Sequence, residues 1–258
     1  MPPNAQPHAD PASAARAPEP LARDGLAYVV EHGPSFATLR VELPAERTLF
    51  VQAGRLMRLE PGVEVRPALN AAVPGPPGLW AKLVALFVTL LRVAFGGDPP
   101  IADRVRTARG GRVWLAPASP GSIGHRRLHG DALFVNADAY LAHAGRVEVR
   151  VRFGNVQRAL SRVAVVFFEL SGFGEAWFAS HGGVQRIDVR GTFLVEPHHL
   201  LAFDGALTFH IRPDAGPAAP AGAAGRVCEL RGRGRAYVQG RAGAAVVAAL
   251  ARRDQGAA

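Results

Sequence analysis

From residue 146 to residue 153 apolar and polar positions alternate strictly, Val147, Val149, Val151 and Phe153 against Arg146, Glu148, Arg150 and Arg152. A period of two sends one set to a core and the other to solvent, the mark of a half-buried strand. Altered forms of the surrounding block, Leu133–Phe153, stand at Leu49–Arg66 and at Phe193–Arg212. Pro61-Gly62, Ala144-Gly145 and Asp204-Gly205 precede the corresponding strands, so each block is expected to fold back as a hairpin. A second marker also recurs, centred on Trp114, Trp177 and Tyr237. Trp177 follows Leu133 by 44 residues, as Tyr237 follows Phe193, whereas Trp114 follows Leu49 by 65. This predicts an all-β chain of three repeated antiparallel modules, about 36–117, 124–180 and 185–240, the first carrying an insertion.

Shorter strands are expected at Ala27–Val30 and Phe36–Leu43. The run Val163–Leu170 reads as a fully buried strand, with Val227–Leu230 and the more polar Ile101–Thr107 as its counterparts. One segment has a different character. In Leu79–Phe95 the polar residues Lys82, Thr89 and Arg92 form a single narrow helical stripe on an otherwise apolar cylinder, and Gly96-Gly97 stops it. Such a helix rises about 25 Å, short of a membrane span, and carries Lys82 and Arg92 within it. Its apolar face, Trp80, Leu83, Leu86, Phe87, Leu90, Leu91 and Phe95, is wider than one sheet face covers. That face is the expected interaction surface, against another subunit, a protein partner or a bilayer surface. Residues 1–24, with prolines at six positions and no apolar periodicity, read as a disordered tail. A single β-rich domain is expected over 25–245 and a second tail over 246–258.

Composition changes this picture little. The hydrophobic share of 48% is ample for a core. The formal charge of +9 invites an anionic partner, but Lys82 is the only lysine and arginine supplies the rest, alongside abundant alanine, glycine and proline. No aromatic residues interleave with the arginines in the manner of a base-stacking surface, so nucleic-acid binding is the weakest of three functional readings. Cys228 is the sole cysteine, which excludes an intrachain disulfide, and its apolar neighbours mark it as a buried structural thiol. The first residues lack the apolar stretch of a secretory signal, and the expected location is the cytoplasm, with attachment to a membrane surface open to the 79–95 helix.

Candidate chemistry is sparse. Seven of the nine histidines, His125, His129, His143, His181, His198, His199 and His210, are the candidates for a metal site, but none are two apart on one strand, and His198-His199 would point to opposite faces. No metal and no cofactor are expected. Ser119 and Ser180 lie in turn-like sequences outside a nucleophile elbow. Glu64 and Glu148 recur at matching places beside arginines and read as cross-strand surface ion pairs. No catalytic residues emerge, and an enzyme is not expected.

The succession PSFATLRVEL, LFVQAGRLMRLEPGVEV, GLW, GGRVWLAPASPG, HGDALFVNADAYLA, FELSGFGEAWFASHGGVQRIDV and HHLLAFDGALTFHI, across about 26–240, resembles the family named for altered inheritance of mitochondria. The resemblance implies a fold similar to the tryptophan-attenuator-type double-stranded β-helix, built from repeated antiparallel units and without catalytic residues. In the family's mitochondrial branch it implies a part in inner-membrane architecture and contact sites. The expected function is that of a non-catalytic scaffold or interaction protein, self-associating as a homo-oligomer or bound to a protein partner. The alternatives are a peripheral membrane organiser and a basic nucleic-acid binder.

Overall fold

The computed structural model describes residues 25–69, 101–153, 166–213 and 226–241. The expected 79–95 helix with its seven interaction residues and the two expected tails lie outside the described residues. Among the described residues the regular structure is β throughout, except for a 3-10 turn at Pro197–His199. Fourteen strands run in chain order: β1 Ala27–Glu31, β2 Thr38–Leu43, β3 Thr48–Gln52, β4 Leu56–Leu59, β5 Val63–Leu69, β6 Ile101–Thr107 and β7 Gly111–Leu115. These are followed by β8 Ile123–Asn136, β9 Tyr140–Phe153, β10 Val166–Ala179, β11 Val184–Val195, β12 Leu200–Asp204, β13 Thr208–Pro213 and β14 Arg226–Gln239.

Pairing between the named strands is antiparallel and follows one scheme. β7 lies between β2 and β4, β6 between β3 and β5, and β10 between β8 and β9. β14 lies between β11 on one side and β12 with β13 on the other. Two seams join these groups. β3 pairs with β9, Leu49 opposite Ala144, and β8 pairs with β12, Leu133 opposite Asp204. Parallel bridges through Phe36, Gly121 and Gly182 tie the starts of the groups together. Gly121 is required there, because a Cβ would stand 1.7 Å from the Ser180 carbonyl oxygen.

The alternating run of β9 behaves as expected: Val149 is buried while Arg146, Glu148, Arg150 and Arg152 are exposed. Leu133 and Trp177 are fully covered, and Trp114 and Tyr237 nearly so. The expected hairpins do not form: β8 and β9, from one block, each pair with β10, and β9 runs unbroken through Ala144-Gly145 because the partner of each strand lies outside its own block. Two further expectations need correction. The strand expected to end at Leu170 runs on through Trp177 as one 14-residue strand, because a register shift between Ser171 and Phe173 bends the chain without ending its ladder. Gly172, at φ 121°, occupies that bend. Glu148 and Glu64 pair along their own strands with Arg150 at 2.9 Å and Arg66 at 3.2 Å, not across strands, since residues two apart share a face.

Candidate functional site

The polar side chains with catalytic potential are mostly committed to packing. His143 is fully buried, stacked on Phe50 with ring centroids 4.9 Å apart, and its Nδ1 meets the Tyr140 hydroxyl at 2.7 Å. Burial pulls its pKa down to about 3, so the ring is neutral. Glu175 is buried and divided between His125 Nε2 at 2.5 Å and Arg127 Nε at 3.4 Å. Ser119 Oγ and His181 Nδ1 are 2.7 Å apart, and the exposed Asp138 makes no hydrogen bond with that ring among the described residues. His198 and His199 belong to the 3-10 turn, correcting the strand expectation; His198 bonds to Glu196 and His199 to the Gln239 carbonyl, each at 2.7 Å. Cys228 is wholly buried and its thiol is pushed up to about 12 by burial. Among the described residues no three His, Cys, Asp or Glu side chains are grouped to hold a metal ion, and no helix is long and apolar enough to cross a membrane.

What the geometry does set apart is a difference between seams. At β3–β9, Leu49 and Val51 are fully buried and Phe50 stacks on His143, its cross-strand partner. At β8–β12, Leu133 and Val135 are buried and Phe134 stacks on its partner Phe203, centroids 4.9 Å apart and rings tilted by 2°. Aromatic cross-strand pairs of this kind contribute about 0.2–1 kcal/mol each beyond simple pairing. Phe193-Leu194-Val195 of β11 stands in the same relation to β14 as Leu133-Phe134-Val135 does to β10. Yet β11 has β14 as its only partner strand among the described residues, and Leu194 is 48% exposed.

The complementary edge is β4. Its counterparts Leu141–Ala144 of β9 and Leu200–Asp204 of β12 are buried throughout. β4 pairs only with β7 among the described residues, with Met57 54% exposed and Arg58 exposed. Both edges end their sheets in the strand order. An open strand edge presents unpaired N–H and C=O groups, and here each also presents an uncovered apolar side chain. The sequence blocks located these strands, but nothing local in LFVN, FLVE or LMRL distinguishes a covered edge from a bare one.

Comparison with known proteins agrees with this architecture. Residues 28–241 match the family described as Mitochondrial biogenesis AIM24. An uncharacterized protein of Streptococcus pyogenes serotype M6, M6_Spy0233, is 22% identical over 218 residues, covering 83% of this chain and 85% of its own. The X-ray crystal structure of protein SPYM3_0169 from Streptococcus pyogenes superposes with a TM-score of 0.69 at 20% identity, covering 88% of this chain and 99% of that one.

Proposed function

Because the chain belongs to the mitochondrial biogenesis AIM24 family, we propose that it is a non-catalytic, self-associating scaffold of the cytoplasm, built from three copies of one antiparallel unit in the manner of the tryptophan-attenuator-type folds. Each copy has a long third strand flanked by its first and second: β6–β7, β10 and β14 are the three central strands. Successive copies join by laying the first strand of one against the second strand of the next. The observation that carries self-association is that this joint is made twice and left open once, with Leu194 and Met57 bare on the two unused edges. The occupant is a second copy, which offers a β4-type edge to β11 and a β11-type edge to β4, so that assembly continues a joint the chain already contains. The buried His143, an inert thiol and a carboxylate shared between His125 and Arg127 support a structural use of the polar groups.

Sedimentation of the full chain over a range of concentrations tests this. Wild type is expected to associate reversibly. Leu194→Asp and Met57→Asp, both at exposed positions, are each expected to leave a monomer with unchanged melting. A wild type that stays monomeric at about 100 µM, a concentration that would populate even weak complexes, overturns the proposal; so does a Leu194→Asp variant that associates as wild type does.

A further inference from the structure

A hollow of about 400 Å³ opens where β1, β3, β8, β9 and β10 come together. Its wall carries Arg47, Arg127, Arg146, His129, Phe173 and Glu175. Gly145 and Gly174 also line it. A Cβ on Gly174 would come within 2.0 Å of the Ala144 carbonyl oxygen, so β9 and β10 approach here as only glycine permits.

The charge in the hollow is unbalanced. Glu175 is already divided between His125 and Arg127. Arg47 and Arg146 have no carboxylate partner among the described residues, and the Arg146 guanidinium instead lies 5.9 Å from the centre of the Phe173 ring. Phe173 also lines the hollow and is 55% exposed.

The other seam shows what would complete the arrangement. There Asp204, opposite Leu133, accepts from Arg126 at 3.3 Å and from the Arg235 side chain at 3.1 Å. At this seam the residue opposite Leu49 is Ala144, which has no carboxylate to give. The chain thus supplies its own anion at one seam and leaves cations facing a cavity at the other.

We propose that this hollow binds an organic phosphate of nucleotide size, its phosphates held by Arg47, Arg127 and Arg146 and its ring laid against Phe173. The volume lies in the range of small-ligand sites. Arginine is the side chain best matched to phosphate oxygens, and an arginine beside an aromatic face suits a flat ring as well as its charge. The inference does not depend on self-association.

Calorimetric titration of the full chain with ADP, inorganic pyrophosphate and adenosine is the test. ADP is expected to bind in the range of about 10–100 µM, pyrophosphate about tenfold more weakly and adenosine more weakly still. ADP affinity should fall as salt is raised. Arg47→Gln and Arg146→Gln, both at exposed positions, are each expected to weaken ADP about tenfold without changing the melting temperature. Phe173→Ala should weaken ADP and leave pyrophosphate unchanged. No heat from ADP at about 1 mM overturns the proposal, as does a double Arg47→Gln, Arg146→Gln variant that binds ADP like wild type. Equal affinity for pyrophosphate and ADP overturns the role given to Phe173.

Discussion

Replacing His143 by phenylalanine should remove a pH dependence that one buried ring imposes on the whole fold. His143 is completely covered, stacked on Phe50, and its Nε2 has no hydrogen-bond partner among the described residues. Burial lowers the ring's pKa from 6.5 to about 3. Between those values the unfolded chain holds a proton on this ring that the folded chain refuses. Stability therefore rises with pH across the window and is lost as pH falls through it, by about 1.4 kcal/mol per pH unit. From about pH 7.5 down to about pH 4.5 the accumulated loss is about 3 kcal/mol, a large part of an ordinary domain's 5–15 kcal/mol. Other histidines and carboxylates also titrate there, so the quantity to read is the difference between two proteins. Urea denaturation of wild type and His143→Phe at both pH values gives it. Phenylalanine keeps the stack on Phe50 and removes the contact between His143 Nδ1 and the Tyr140 hydroxyl, which shifts absolute stability at every pH but not the slope. The variant should lose about 3 kcal/mol less than wild type on acidification. Parallel pH profiles would refute the reasoning, since they would mean that folded His143 titrates like a free ring.

Two further outcomes follow from the packing. Gly121→Ala drives a Cβ into the Ser180 carbonyl at the bridge between groups, and should cost more than about 3 kcal/mol in chemical denaturation or prevent soluble expression. Gly183→Ala, with no atom within 4 Å of the new Cβ, should be close to neutral, and equal losses in both would show that the bridge is pliable. Cys228, fully buried with its thiol raised to about 12, should resist alkylation in the folded protein and take up one equivalent in denaturant; labelling of the folded state would contradict its burial.

Much of the fold was legible because strand alternation is a local signal. Val147–Phe153 announces one face of β9, and the blocks located strands but not their partners: β8 and β9, from one block, each pair with β10 and not with each other. The length of β10 was not legible: the apolar run ends at Leu170, yet the strand passes unbroken through SGFGEA with a register shift at Gly172. His143 was readable as buried only in retrospect, a single ring within the covered run Leu141–Ala144. The basic hollow was not readable at all. Its residues stand at 47, 127, 146 and 173, and only the register across three strand pairs brings them together. The bare edges escaped for a similar reason, since whether Leu194 or Met57 is covered depends on a neighbour far away in the chain or in another molecule. The apolar stretch from Trp80 to Phe95, so prominent in the sequence, lies outside the described residues and leaves those edges as the surface on which interaction is argued.

The places where the strand ladder stops have a practical meaning. Leu69 is paired with Ile101, and Phe153 with Val166, while Pro213 is paired with Arg226, so three excursions of the chain each leave and re-enter through a clamped pair of strand ends. These clamped pairs join β5 to β6, β9 to β10 and β13 to β14. A foreign segment could be grafted at any of the three on anchors whose strand pairing is already set.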